Sequence, residues 1–285
     1  MKSVILSCGI LVFALVMASR ADFIADAEKL AQEGKLTEAK AMLEQALAAE
    51  PANAKLHHAL GVLSAVEGNL DLALQQLAHA RALEPKDANI IRDLAGVHFT
   101  LAQKNKSIRE AIKGKDLLKE AVEAEPKNVT CRRALVGFYR DAPFFVGGSK
   151  GKAYDEIESL RKLDPKNASY MALEAYIDDE RWQDAEREWE AVRALAPQEN
   201  YWMILRGKLC ARSGKGLEAG EAMLTEYLKI EPLNEWERGN ALLFLGEIRR
   251  HKKDYAGARK LLEEAKGYRY SKPEAEQVLA KLPAA

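Results

Sequence analysis

Six prolines recur at nearly even intervals. Pro51, Pro85, Pro126, Pro165, Pro197 and Pro232 each follow an acidic residue or alanine, with separations of 34, 41, 39, 32 and 35 residues. Proline forces the residue before it out of the helical region, so each step punctuates a helix. A period of this size marks a helical repeat array, in which each unit packs only on its neighbours. The spacing therefore predicts one elongated all-α stack, where 285 residues would otherwise indicate one or two compact domains.

The second unit shows the physics most clearly. Leu56, Leu60 and Leu63 lie at helical spacing beside Gly61, Gly68-Asn69 makes a turn, and Leu70, Ala73, Leu74, Leu77 and Ala80 form a second apolar stripe. Small residues, Gly61 against Ala73 and Ala80, let the two axes approach, while Leu60 and Leu77 fill the space between. The same set recurs as Ala27, Leu30, Gly34, Ala39, Leu43 and Ala46, as Gly207, Gly214, Ala219 and Leu224, and as Leu245, Gly246, Ala258, Leu262 and Ala265. On these residues the chain resembles the tetratricopeptide repeat (TPR) family, in particular its exported bacterial members, over about 20–272. The resemblance implies a right-handed α-α superhelical solenoid of about seven helix pairs that binds a peptide or partner protein in a concave groove.

The expected units are 20–53, 54–87, 88–128, 129–167, 168–199, 200–234 and 239–272, all within a solenoid domain of 22–285, with a polar-faced capping helix at 273–282. Three units depart from the pattern. The third carries about seven extra residues around Lys104 to Ala111, which should lengthen both of its helices. The fourth carries about five extra in Ala142 to Ser149, and the fifth is two residues short and lacks a clear glycine turn.

The first residues read differently. Lys2 is followed by an apolar run from Val4 to Met17 and then by Ala18, Ser19 and Ala21, which predicts a secretory signal over 1–21 cleaved after Ala18 or Ala21. The mature protein would then be periplasmic or secreted. The alternative is a retained membrane anchor, although the run is short against the roughly 20 residues of a span. Cys8 would leave with the signal, and Cys131 and Cys210, two units apart on first helices, read as small buried apolar residues.

Charge excludes one class of partner. Lys plus Arg and Asp plus Glu number 43 each, so no basic footprint for nucleic acid exists. The uneven runs (basic at Lys104 to Lys119 and Arg249 to Lys260, acidic at Asp178 to Glu190) read as solvated faces, with Trp182 and Trp189 packing between helices.

No motif carries chemistry. Gly147-Gly148-Ser149-Lys150-Gly151-Lys152 precedes a helix, but Val146 and Ala153 stand where a phosphate loop needs glycine and a hydroxyl, so it reads as a flexible turn with Phe144 and Phe145 covering the core. His57 and His58 are adjacent and point to different faces, and His79, His98 and His251 are isolated, so no metal is expected. No nucleophile-base pair occurs, and the expectation is a protein without enzymatic activity or cofactor. Asn105, Asn128 and Asn167 head glycosylation sequons, and the last two read as helix caps.

Registering the repeats on the family's first helices places His58, Asn89, Arg92, Phe99, Arg133, Arg140, Tyr176, Tyr201, Lys208 and Arg212 on the groove, a basic and aromatic set of the kind that anchors partners. Some TPR modules clamp a C-terminal carboxylate with Lys, Asn, Asn, Lys and Arg. The matching positions here hold Ile24 and Glu28, then His58 and Val62, then Arg92 and Gly96, so that clamp is absent. Two other readings remain: an accessory subunit of an envelope assembly or transport complex, docking through its inserts or convex face, and an enzyme with a site on the inserts of units three and four.

Overall fold

The structure, a computed structural model, describes residues 22–283. The signal-like segment 1–21 lies outside the described residues. Among the described residues every regular element is helical, fifteen α-helices and one 3-10 turn, and no strand occurs. The chain divides into two compact units at Glu156 and Ile157.

The first unit is a run of helix hairpins: α1 (Asp22–Gln32) with α2 (Leu36–Ala49), α3 (Ala54–Val66) with α4 (Leu70–Leu83), and α5 (Ala88–Asn105) with α6 (Ile108–Ala124). Then come α7 (Val129–Asp141), the 3-10 turn Phe144–Val146, and α8 (Lys150–Arg161), within which the chain divides. The second unit continues with α9 (Pro165–Asp178) and α10 (Trp182–Leu195), α11 (Tyr201–Ser213) and α12 (Leu217–Tyr227), α13 (Glu235–His251) and α14 (Tyr255–Ala265), closed by α15 (Lys272–Leu279). Within the first unit α1 to α7, and within the second α9 to α15, each helix packs on its sequence neighbours, the solenoid pattern that repetition predicts.

Local chemistry sets the helix starts. Side chains of Asn53, Asn69, Asp87, Ser107, Asn128, Asp164, Asn234 and Asp254 accept hydrogen bonds from the first free amides of their helices. Two boundaries differ from the sequence reading for this reason. Asp164 caps α9 with Pro165 in its first turn, so that proline opens the fifth unit instead of closing the fourth, and Asn167 lies inside the helix, donating to Asp164. Likewise α13 begins at Glu235, not 239, because Asn234 and Glu237 form a reciprocal capping box.

Turns follow a common geometry. Gly34, Gly68 and Gly214 have positive φ after their first helices, and Lys106, Glu180 and Lys253 take that conformation in the turns after α5, α9 and α13. The fifth unit thus makes its turn with Glu180 at φ 57, a left-handed position that costs a side-chain-bearing residue about 1–2 kcal/mol.

The predicted close approaches are present. A Cβ at Gly61 would lie 2.7 Å from Leu77 Cγ, one at Gly207 2.4 Å from Leu224 Cγ, and one at Gly246 2.7 Å from Leu262 Cγ. The third hairpin is long, with 18 residues in α5 and 17 in α6 against 13 and 14 in α3 and α4. Here Gly114 on α6 makes room for Phe99, whose Cε1 lies 2.5 Å from where a Cβ would stand. Cys131 and Cys210 are buried and unpaired. Trp189 is buried, and Trp182 packs against the same cluster.

The fourth unit's insert overturns one expectation. Phe144 is 86% exposed and Phe145 58%, so neither covers the core; Val146 does that instead. The loop is also held by backbone hydrogen bonds. Ser149 N–H donates to the Tyr139 carbonyl at 2.8 Å and Gly148 N–H to the Pro143 carbonyl at 3.1 Å. Gly148 permits this, since a Cβ there would lie 1.7 Å from the Ala142 carbonyl oxygen.

Candidate functional site

Helix α5 of the first unit carries Arg92, Asp93, Gly96 and Phe99 along one face, and α7 answers with Ala134, Gly137, Phe138 and Asp141. Between them lies a cleft of about 570 Å³, closed at one end by Val146 of the insert. Its emptiness has a sequence cause. Gly96 and Gly137 are helix-interior glycines, each costing about 1 kcal/mol relative to alanine. Unlike Gly61, neither makes room for a neighbour: a Cβ at either would meet nothing within 4 Å. Their missing side chains leave the cleft open. Phe99 and Phe138 stack at 5.3 Å between ring centroids and form an apolar wall.

A polar network lies at the other end. Asp93 accepts from His58 Nε2 at 2.7 Å and from Arg92 Nε at 2.8 Å, and Arg92 Nη1 donates to Asn89 Oδ1 at 2.9 Å. Three predicted residues, His58, Asn89 and Arg92, are therefore brought together by a residue the sequence reading missed. Burial pushes the Asp93 carboxyl up, but the bonds from His58 and Arg92 outweigh it and hold it below the ordinary carboxylate value. Arg133 stands exposed on α7 and makes no ion pair, whereas Arg140 pairs with Asp141 at 2.8 Å.

The predicted residues of the second unit are engaged within it. Tyr176 lies under the Arg181 guanidinium at 4.5 Å. Tyr201 donates to Glu174 at 2.8 Å and its ring contacts Tyr170 and Trp236. Lys208 pairs with Asp178 at 2.8 Å, and Arg212 reaches both Glu247 and Glu274.

The remaining histidines are structural links. His57 bonds Gln76 at 2.6 Å and stacks on His79, His98 pairs with Glu110 at 2.5 Å, and His251 bonds the Ala211 carbonyl. His79 and His98, isolated in sequence, thus find partners across their hairpins. Among the described residues no group of three or more His, Cys, Asp or Glu is placed to hold a metal ion. Parts of the charge runs find partners within the chain: Arg249 and Lys252 pair with Glu221, Arg161 bonds Glu188, and Arg206 pairs with Glu186. Lys152, beside the glycine turn, lies over the Tyr139 ring at 5.6 Å.

Stacked helix hairpins with an open cleft on their first helices define a helical-repeat protein, an architecture that serves as a protein-interaction scaffold. Family models described as Tetratricopeptide repeat match residues 30–96 and 170–235. Both of these stretches are tetratricopeptide repeats, one in each compact unit. The chain is similar in structure to a tetratricopeptide repeat protein from Parabacteroides merdae ATCC 43184, at 18% identity and a TM-score of 0.69, covering 92% of this chain and 98% of that one. PilF of Pseudomonas aeruginosa matches at 16% identity and a TM-score of 0.57, over 83% of this chain and 98% of its own. A thermophilic TPR protein of Thermus thermophilus matches at 16% identity and 0.54, over 68% and 98%. At these identities the likeness is one of fold. No curated protein matches the sequence.

Proposed function

We propose that the protein is a non-enzymatic scaffold that grips an extended segment of a partner protein in the cleft between α5 and α7. The observation that carries this reading is the pair Gly96 and Gly137. Both lack a Cβ where nothing would obstruct one, and both open onto the cleft. Glycine in a helix is a standing cost, and here packing within the chain does not explain it. A partner's apolar side chain lying over the two glycines would contact the Phe99–Phe138 wall. Arg92, which lines the cleft, would meet its polar groups. The signal-like segment 1–21 supports an exported location, with the partner in the same compartment.

A second reading has its own observation. Phe144 and Phe145 are displayed on a hydrogen-bonded loop, the kind of rigid apolar tip that docks into a larger assembly. One experiment separates the two: capture from the native compartment with the mature wild-type chain, with Gly96→Phe/Gly137→Phe, and with Phe144→Ala/Phe145→Ala. The cleft reading expects the first variant to lose its partners and the second to keep them. The reverse pattern would transfer the function to the tip.

A further inference from the structure

The first unit displays apolar side chains that its own packing does not use. Phe144 is 86% exposed and Phe145 58%, and their rings meet edge-on at 5.7 Å between centroids. On α6, Ile108 is 52% exposed and Ile112 36%. Residues 108, 112, 115 and 119 are spaced by four, three and four, so Ile108, Ile112, Lys115 and Lys119 form one stripe along that helix. The insert meets α6 beside this stripe. A Cβ at Gly147 would lie 3.0 Å from Lys115 Cδ, and Val146 shares the cleft with Ala111 and Leu118 of α6. The two phenylalanines and the two isoleucines therefore belong to one region of the first unit.

Charge indicates what covers them. Lys104, Lys106 and Arg109 stand exposed about the two-residue turn between α5 and α6. None of the three has an ion-pair partner among the described residues, and neither has Lys119. The acids nearby are already taken: Glu110 by His98 and Lys113, Asp116 by Lys115, and Asp141 by Arg140. An acidic protein would satisfy the free cations and leave the apolar side chains without a purpose. A lipid surface takes both at once. Its anionic headgroups attract Lys and Arg, and the acyl boundary just beneath accepts Phe and Ile. The long stems of Lys and Arg keep their charges at the headgroups while the apolar side chains go deeper.

We propose that this region docks on an anionic membrane surface. Phe144, Phe145 and Ile108 enter the acyl boundary, and Lys104, Lys106 and Arg109 hold headgroup phosphates. The lipid thus replaces a larger assembly as the occupant of the phenylalanine tip. The contact does not rest on the cleft reading, and the α5–α7 cleft keeps its own partner.

Sedimentation with vesicles tests the assignment, using the mature chain 22–285, which contains every described helix. It should bind vesicles of equal parts phosphatidylglycerol and phosphatidylcholine. It should bind phosphatidylcholine alone at least about tenfold more weakly, and rising salt should release it. Phe144→Ala/Phe145→Ala should weaken binding to the mixed vesicles about tenfold or more, and Lys104→Gln/Lys106→Gln/Arg109→Gln by a similar factor. All five side chains are exposed, so unchanged melting curves should show both variants folded. A polarity-sensitive fluorophore on Phe145→Cys should shift to the blue with the anionic vesicles; Cys131 and Cys210 are buried and stay unlabelled. Failure to bind the anionic vesicles would overturn the proposal. So would full binding by Phe144→Ala/Phe145→Ala, the mark of a basic patch open to any polyanion, or equal binding to neutral vesicles. A protein captured only through the phenylalanine pair, with vesicles ignored, would return the tip to an assembly.

Discussion

Leu77 on α4 occupies the space that Gly61 leaves on α3, its Cγ 2.7 Å from where a Cβ would stand. Glycine at 61 is therefore a packing requirement of that hairpin, and the same holds for Gly207 with Leu224. Gly96 and Gly137 are glycines of another kind, since their missing side chains open only onto the cleft.

The two kinds respond oppositely to alanine. Gly61→Ala should lower stability by about 1–3 kcal/mol, because Leu77 or its helix must shift. Gly96→Ala should raise stability by up to about 1 kcal/mol, from helix propensity alone. Chemical denaturation of the two variants reads the difference directly. A loss of stability in Gly96→Ala would mean that the position serves packing after all.

Asp93 joins α3 to α5 through His58 and orients Arg92 toward the cleft. Its carboxyl is held below the ordinary value in the folded protein. A depressed folded pKa contributes stability that is present above the unfolded value of about 3.9 and is lost as pH falls through the folded value. Asp93→Asn should therefore cost about 1–2 kcal/mol at pH 7. It should also flatten the acid limb of the stability curve below about pH 4. Superimposable acid limbs for the variant and the wild type would refute the role given to this carboxylate.

The insert predicts a separation between stability and display. Phe144→Ala/Phe145→Ala should leave the unfolding free energy within about 0.5 kcal/mol, because both rings face solvent. Val146→Ala, one residue further on and buried, should cost about 2 kcal/mol. Melting curves for the two variants suffice. A large loss in the double phenylalanine variant would return those rings to the core.

Much of the fold was legible because the repeat is a short-range pattern: stripe, glycine, turn and proline all lie within one period of about 34 residues. What escaped the sequence depended on contacts across units or on local caps. Asp93 looked like an ordinary polar residue because its partner His58 lies 35 positions earlier. Glu247 gave no signal, since nothing nearby in sequence shows that α15 will pack close and deliver Glu274 beside it. Phe144 and Phe145 read as core on composition alone, and only the backbone bonds around Gly148 turn them outward. The turn at Glu180 lacked its glycine signal because the chain accepts a strained residue there.

The long α5–α6 hairpin has a consequence of its own. Its two helices exceed those of the preceding hairpin by about one turn each and are joined by only Lys106 and Ser107. Growth by whole turns preserves the phase of both helices, so the residues facing the neighbouring hairpins still face them. The added length carries Ile108, 52% exposed, and Ile112 near its tip. Height at right angles to the stack is thus a dimension in which this architecture can vary in steps of about seven residues. A chain built this way gains reach without disturbing the packing that holds it.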